Sequence, residues 1–183
     1  MSAYQPVEIR QLTRPEEAGP RLRRELAACW EEVVNSGGAV VAAAFPLPPV
    51  SPSQVAAVVE ELVRALDPDL ARMLVATAGG ALAGWLVLRR DRHPLVAHRG
   101  TVNHVQTLPG LRRLGIGSAL MERVRDVARE EMGLERLEIA VRGGLGLEDF
   151  YGKLGWTEVG RWPGALRVAP GDDRDEILMS LVL

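Results

Sequence analysis

The chain has 183 residues, of which 47% are hydrophobic and 25% are charged, and its formal net charge is −2. This composition is typical of a globular protein and argues against a disordered or a membrane-embedded chain. No basic block occurs beyond residues 21–24, so there is no electrostatic case for binding nucleic acid. We expect one domain spanning residues 1–183.

Cysteine usage and apolar runs bear on the compartment. The first residues carry no apolar signal-peptide core, and the longest apolar run, 39–50, is short and interrupted by prolines. The single cysteine, Cys29, lies among apolar residues of a predicted helix, which favours burial over a nucleophilic role. We therefore expect a cytoplasmic protein with no membrane partner. The histidines and the cysteine lack metal-ligand spacing, so no metal is expected.

The first half of the chain predicts a strand followed by two helices. Val7 to Leu12 is the strand, and Thr13-Arg14-Pro15-Glu16 resembles a capping box that opens a helix running to about residue 34. Residues 39–51 are apolar and proline-rich, which indicates an irregular segment on the surface. Ser51-Pro52-Ser53-Gln54 opens the second helix.

The second half predicts six strands and two helices. Residues 73–78 and 81–89 form a hairpin around Gly79-Gly80. The next elements are a strand over 101–108, a helix over about 115–131, a strand over 134–141, a short helix over 147–154, and strands over 156–162 and 176–183. A polar, proline-containing loop is expected between the last two strands. This order indicates a mixed α/β sheet with helices on both faces.

A glycine-rich segment, Arg112-Arg113-Leu114-Gly115-Ile116-Gly117-Ser118, lies between the strand 101–108 and the helix that follows it. A helix start exposes backbone N–H groups without intrahelical partners and carries a partial positive charge. Glycines let a phosphate approach these groups closely, and two arginines add charge-assisted hydrogen bonds. The pattern therefore indicates a cradle for a pyrophosphate.

Two common phosphate-binding loops do not fit this segment. A P-loop requires Lys after the second glycine of its spaced pair, but Ile116 follows Gly115. A dinucleotide fingerprint requires a third glycine, where this chain has Leu120. What remains is Arg-x-x-Gly-x-Gly between a strand and a helix.

That pattern resembles motif A of the GNAT acetyltransferase superfamily, in which this loop binds the pyrophosphate of acetyl-CoA. The order of elements is also that of the GNAT fold. The resemblance implies an α/β fold with a mostly antiparallel seven-stranded sheet, one splayed parallel pair and helices on both faces. It implies acetyl-CoA as co-substrate, with the pyrophosphate bound by Arg112, Arg113, Leu114, Gly115, Ile116, Gly117 and Ser118.

A second segment, Phe150-Tyr151-Gly152-Lys153-Leu154-Gly155-Trp156, resembles the signature that ends the GNAT fold, with Trp156 in place of the usual Phe. In many members its tyrosine is the general acid that protonates the leaving thiolate. The resemblance therefore implies that Tyr151 is the catalytic acid, and packing is the alternative.

The strand before the cradle has further roles by the same resemblance. Its backbone at Val105, Gln106 and Thr107 is expected to pair with the pantetheine arm and to polarise the thioester carbonyl. Strict alternation divides the strand into two faces, one of which carries Thr101, Asn103, Val105 and Thr107. At the position of Thr101 or Asn103, many relatives have a Glu or His that acts as the general base.

The general base is left open by these residues. His104 is the one nearby group that ordinarily titrates near pH 7, which makes it a catalytic candidate, but its parity is that of the opposite face. Glu32 and a water held by Asn103 are alternatives, and the amine could also arrive neutral.

The whole chain resembles the branch typified by the tabtoxin-resistance acetyltransferase. The shared features are the Gly37-Gly38 turn, Leu108-Pro109 before the cradle, the Pro163-Gly164 loop, and Gly144 where most relatives place an Asn that contacts CoA. This branch implies that Gly144 borders the cofactor. A homodimer is compatible with the resemblance.

The expected activity is transfer of an acetyl group from acetyl-CoA to the amine of a small molecule, by direct attack in a ternary complex. The acceptor is expected between Gly37-Gly38, the 39–50 segment and the last hairpin, where Trp30, Trp85, Trp156 and Trp162 could line its site. A protein lysine or N-terminus as acceptor, a non-catalytic acyl-CoA-binding module and a nucleotide-phosphate binder remain alternatives.

Overall fold

The computed structural model describes residues 6–39 and 47–183. Within these ranges the strands are β1 Val7–Leu12, β2 Ala71–Ala78, β3 Ala81–Arg90, β4 Arg99–Thr107, β5 Arg136–Arg142, β6 Thr157–Ala169 and β7 Asp172–Val182. The α-helices are α1 Pro20–Asn35, α2 Pro52–Arg64, α3 Ile116–Asp126 and α4 Leu147–Lys153. The predicted order of elements is confirmed.

The strands form one sheet in the order β1-β2-β3-β4-β5-β7-β6, in which β4 and β5 are the parallel pair. Helices α1 and α2 cover one side through a buried cluster that includes Trp30, Val59 and Trp85; we call this side the α1 face. Helix α3 covers the other side, where Leu120 of the helix and Leu86 of β3 belong to one buried cluster. We call this side of the sheet the α3 face. The predicted mixed α/β sheet with helices on both faces is therefore correct.

The first helix begins later than the sequence predicts. The carboxylate of Glu17, rather than Glu16, accepts the backbone N–H groups of Thr13 at 2.6 Å and Arg14 at 2.9 Å, and closes a separate 3₁₀ turn. Helix α1 starts only at Pro20, because a proline at the first helical position holds the preceding residue extended.

The second helix begins as predicted. The hydroxyl of Ser51 accepts the N–H of Gln54, whose side-chain oxygen accepts the N–H of Ser51 at 2.8 Å, a complete capping box. The side chain of Asn35 at the end of α1 bonds both backbone groups of Val50, which fixes the spacing of the two helices. Most of the expected irregular segment, residues 40–46, lies outside the described residues.

The loop predicted between the last two strands is wrong. Strands β6 and β7 form a long hairpin closed at Pro170-Gly171, where Gly171 has φ +77°. Pro163 lies within β6, and the register shifts between Trp162 and Leu166. An edge strand tolerates a proline at such a bulge because no ladder hydrogen bond is lost there.

The alternation predicted along β4 is also wrong. Asn103 pairs with Val87 and Gln106 pairs with Trp85, so β4 carries one residue more than β3 over this stretch. The extra residue is at His104, which has φ +57°. Such a bulge reverses the alternation for the rest of the strand, which moves His104 and Gln106 to the α1 face and Val105 and Thr107 to the α3 face.

The far end of α3 is anchored to the sheet. A π-helical turn, Val127–Glu131, extends the helix, and the carboxylate of Glu131 accepts hydrogen bonds from Arg72 at 2.8 Å, Arg123 at 2.8 Å and Gln11 at 3.0 Å. These bonds lower the pKa of Glu131, and the bond from Gln11 has the largest effect. The bonds from Gln11 and Arg72 tie this end of the helix to β1 and β2.

Candidate active site

The parallel strands β4 and β5 separate after a short paired stretch. Their register runs from Arg99 opposite Arg136 to Thr101 opposite Glu138, and beyond that point β4 continues to Thr107 without a ladder partner on its β5 side. The gap opens towards the carboxyl ends of both strands, directly before the start of α3. The residues predicted to contact the pantetheine arm, Val105, Gln106 and Thr107, all lie on this part of β4, which has no β5 partner.

The start of α3 presents a row of free backbone donors. Within the described part of the chain, none of the N–H groups of residues 113–118 donates a hydrogen bond; the first to do so is that of Ala119, to the carbonyl of Gly115 at 2.9 Å. Consecutive free N–H groups at the positive end of a helix form an anion-binding concavity. These free groups lie within the segment for which the sequence predicts a pyrophosphate cradle.

The two glycines of the cradle have different structural roles. Gly115 has φ +81°, and no atom lies within 4 Å of the place where its Cβ would be, so it serves the left-handed backbone and leaves open space. At Gly117 a Cβ would meet the Phe150 ring at 3.4 Å and the Thr107 hydroxyl at 3.8 Å. A methyl group at Gly117 would therefore be in ordinary van der Waals contact with α4 and β4, which lie close to the first turn of α3.

The cradle has one buried side chain and several exposed ones. Ile116 is buried in the α3-face cluster and holds the start of the helix, whereas Leu114 is 64% exposed. Arg112 and Arg113 are exposed, and neither guanidinium forms a hydrogen bond or an ion pair within the described residues. Both cations are available to an anion at the cradle.

Gly144 lies in the loop between β5 and α4 with φ +84°. A Cβ at this position would lie 2.5 Å from a guanidinium nitrogen of Arg174. The glycine is therefore needed for its left-handed backbone, whereas the flexible end of the Arg174 side chain could move aside for a Cβ.

Tyr151 lies on α4 and is 4% exposed. Its ring packs edge-on against Phe150, at 5.0 Å between ring centroids, and against Trp156 at 5.9 Å. Burial alone raises the pKa of the Tyr151 phenol above its ordinary value, so the phenol stays protonated at neutral pH. Phe150 joins Tyr151 to the cradle, because the Phe150 ring faces Gly117.

His104 lies beneath α1 in a cluster of aromatic rings. Its imidazole centroid is 4.7 Å from Trp30 and 6.0 Å from Trp85. Burial, and secondarily the positive charge of Arg89, lower the pKa of His104 to about 4. The ring is neutral at pH 7, and its buried Nδ1 has no hydrogen-bond partner among the described residues.

Cys29 lies on the same face and is 1% exposed. Burial, with a smaller effect of Glu32, raises the pKa of its thiol to about 12. A thiol with this pKa is not a nucleophile at neutral pH, in agreement with the structural role predicted for it.

A cavity of about 480 Å³ lies on the α1 face, at the carboxyl end of β5. It is bounded by the end of α1, the end of β5 and the β6–β7 hairpin, which is where the acceptor site is expected. The residues that line it are Val34, Asn35, Gly37, Gly38, Leu47, Pro48, Arg142, Gly143, Leu145, Ala165, Leu166, Arg167, Val168, Ala169, Asp172 and Arg174.

Comparison with known protein families identifies the family of this chain. The model of the acetyltransferase (GNAT) family matches residues 20–156, which include β4, the cradle, α4 and Trp156. The chain belongs to the GNAT acetyltransferase family.

Solved structures of GNAT proteins share the fold. An acetyltransferase of the GNAT family from Streptococcus pneumoniae is 20% identical, with a TM-score of 0.74 over 97% of this chain and 100% of that one. A provisionally assigned phosphinothricin N-acetyltransferase is 19% identical, with a TM-score of 0.77 over 97% and 99%. A ribosomal-protein-alanine N-acetyltransferase from Brucella melitensis is 19% identical, with a TM-score of 0.72 over 96% and 99%.

The tryptophans do not line the cavity of this GNAT protein. Trp30 of α1 and Trp85 of β3 are fully buried between that helix and the sheet. Trp156 is 3% exposed on the α3 face. Trp162 is 58% exposed on β6 and is not among the cavity residues. The expectation that they could border the acceptor is not met; Trp30, Trp85 and Trp156 pack in the core.

A larger cavity, of about 760 Å³, lies on the outer side of α1 and α2. Its described lining contains no strand residue, and its Arg23 is already paired with Glu60. This cavity is therefore separate from the β4–β5 gap and from the start of α3.

Two kinds of feature are absent from residues 6–39 and 47–183 of this GNAT chain. No group of three or more His, Cys, Asp or Glu side chains there could hold a metal ion. No helix in those ranges combines the length and the apolar character needed to cross a bilayer.

One residue of the site was not anticipated from the sequence. Arg142 ends β5 and lines the cavity, on the side of the strand opposite Leu137, Ile139 and Val141, which pack on the α3 face. The alternation of these three apolar residues with their neighbours is visible in the sequence. It predicts that the side chain of Arg142 points to the face opposite theirs.

Proposed function

We propose that this GNAT protein is an acetyl-CoA-dependent N-acetyltransferase that acetylates the amine of a small molecule in a ternary complex. The observation that carries the proposal is the row of six free backbone N–H groups at residues 113–118, placed where β4 and β5 separate. The resemblance to the tabtoxin-resistance branch, the cytoplasmic location and the homodimer belong to the same proposal.

The donor half of the site fits the pyrophosphate of acetyl-CoA. Free N–H groups, the positive end of α3 and the cations of Arg112 and Arg113 all favour a doubly charged anion at this point. The open space at Gly115 leaves room for it. Backbone groups of Val105, Gln106 and Thr107 that face the gap then offer hydrogen bonds to the amides of the pantetheine arm.

The reaction requires one bond to form and one to break. The amine nitrogen forms a bond to the acyl carbon, the carbon–sulfur bond breaks with its electron pair on sulfur, and the nitrogen loses a proton to solvent. Tyr151 donates its proton to the leaving thiolate and is reprotonated by solvent. Direct transfer is favoured because the single cysteine, Cys29, is buried with a raised pKa.

The proposal assigns no side chain to the role of base, and the amine enters in its neutral form. The bulge removes the parity objection to His104, since it lies on the α1 face. Its pKa of about 4 nevertheless makes it a weak proton acceptor, and its contacts with Trp30 and Trp85 favour a packing role.

A small-molecule acceptor is favoured by the cavity on the α1 face. A volume of about 480 Å³ lies within the range of small-ligand sites. Among the structural relatives, one is provisionally named for phosphinothricin and another for a ribosomal-protein alanine. Their names alone therefore do not choose between small-molecule and protein acceptors.

The substitution Tyr151→Phe tests the chemistry. It removes one hydroxyl and keeps the ring that packs between Phe150 and Trp156, so the thermal unfolding temperature should barely change. Acetyl-CoA turnover with a panel of amines, followed as release of free thiol, should fall about 10²- to 10⁴-fold in kcat. The KM for acetyl-CoA should stay within about twofold, since Tyr151 is assigned no part in ground-state binding.

Two outcomes would contradict the proposal. Binding of acetyl-CoA by the wild-type protein without turnover of any amine would make it a non-catalytic module. Displacement of CoA by ATP or NAD at equal concentration would make the cradle a general nucleotide-phosphate site.

A further inference from the structure

The cavity on the α1 face contains an arginine, Arg142, that forms no ion pair with any described carboxylate. The Nε atom of Arg142 is buried and has no hydrogen-bond partner among the described residues. Glu176 is its register partner on β7, yet no described carboxylate, Glu176 included, lies within ion-pair distance of the guanidinium. A buried polar group of this kind calls for a partner, and a cation calls for an anion.

The other arginines of the cavity are neutralised within the protein. Arg174 forms two hydrogen bonds with the carboxylate of Asp172. Arg167 forms two with Asp173, at 2.7 and 2.8 Å. Among the described cavity residues, Arg142 is thus the arginine left without a carboxylate.

The surroundings of Arg142 disfavour its charge. Burial, and then the positive charge of Arg174, lower the pKa of Arg142, and Asp172 offsets this only in part. The described wall holds three arginines and one aspartate, with apolar side chains between them. An anion in the cavity would satisfy Arg142 and would lie beside apolar side chains.

We propose that Arg142 binds the carboxylate of the acceptor, so that the acceptor is an amino acid or another small amine that carries a carboxylate. This inference rests on the proposed function, because it names the acceptor class of the same site. A guanidinium matches a carboxylate through two parallel hydrogen bonds. Arg142 lies on the acceptor side of β5, across the sheet from the α3 face, which separates it from the pyrophosphate cradle.

The inference separates two classes of acceptor. A free amino acid carries its carboxylate close to the amine, whereas a lysine or an N-terminal residue inside a protein chain has that carboxyl group in a peptide bond. An enzyme that uses Arg142 in this way should therefore prefer free amino acids to peptides with the same N-terminal residue.

The test compares amino acids with their primary carboxamides, which have nearly the same size but no negative charge. With the wild-type protein, kcat/KM for the carboxylate form of the preferred amino acid should exceed that for the carboxamide about tenfold to a hundredfold. In Arg142→Gln the preference should shrink to within about threefold, with the KM for acetyl-CoA unchanged. Arg167→Gln is the matched control, since Arg167 lines the same cavity but is paired with Asp173, and it should keep the preference.

Binding gives a second readout that does not depend on turnover. Calorimetric titration with the N-acetylated amino acid should show about tenfold weaker binding to Arg142→Gln than to the wild type or to Arg167→Gln.

Equal rates for carboxylate and carboxamide, equal binding by all three proteins, or an effect of Arg142→Gln on acetyl-CoA alone would each overturn the inference. Amine acetylation without a carboxylate preference would leave the proposed function standing. Arg142-dependent binding without any turnover would leave the inference standing and overturn the proposed function.

Discussion

At the scale of single residues, His104 shows how one backbone dihedral changes the interpretation of a strand. Histidine is among the residues that adopt a positive φ more readily than most. With φ +57° it turns its ring under α1, next to Trp30 and Trp85, rather than towards the α3 face. Its neutrality at pH 7 follows from that burial.

Acid should destabilise the protein through this ring. The pKa of His104 is about 4 in the folded state and 6.5 ordinarily, so between these values the unfolded chain binds more protons and stability falls as pH drops. Between pH 7 and pH 5 the wild type should lose about 2 kcal/mol more unfolding free energy than His104→Asn, which keeps tolerance of positive φ. Urea unfolding at both pH values measures this.

Equal loss of stability in the two proteins would show that the imidazole titrates normally. His104 would then become a candidate base again.

At the scale of elements, the start of α3 combines two glycines whose requirements differ. Gly115 is needed for its left-handed backbone, with φ +81° and ψ 0°, and has free space around it. Gly117 is helical, and a methyl group there would make ordinary van der Waals contact with Phe150. The sequence pattern alone treats them as equivalent.

The two alanine substitutions should therefore change the free energy of unfolding by different amounts or in opposite directions. Gly115→Ala should cost about 1–3 kcal/mol, because an alanine in that conformation is strained. Gly117→Ala should be neutral or should stabilise by up to about 1 kcal/mol, as is usual for alanine in place of a helical glycine. Urea unfolding of both variants at pH 7 makes the comparison, and equal costs would contradict the roles given to the two glycines.

Local sequence patterns predicted the elements whose signals are themselves local. The capping box at Ser51 and Gln54, the turn at Gly79-Gly80 and the cradle at Gly115 depend on a few neighbouring residues. The bulge at His104 and the strand path through Pro163 depend on the partner strand, so no local pattern contains them. The free state of Arg142 could not be predicted either, because only the folded hairpin shows that Asp172 and Asp173 pair with other arginines.

At the scale of the whole molecule, the sheet separates the two halves of the proposed reaction. The cradle and α4 lie with the α3-face cluster, and the cavity with Arg142 lies on the α1 face. The parallel ladder between β4 and β5 ends at Thr101 and Glu138, and we propose that the gap beyond it connects the two sides. An acyl group that enters from the cradle side can thus meet an amine that enters from the cavity side.

The central claim is that the backbone of residues 113–118 holds the pyrophosphate of the acyl donor. Amide NMR spectra of the protein titrated with acetyl-CoA test it directly, because each of these N–H groups gives its own signal. We expect the amides of residues 113–118 to shift downfield together and to exchange more slowly with water once acetyl-CoA is bound. Saturable binding that leaves these amides unshifted, with the changes located elsewhere, would contradict the claim.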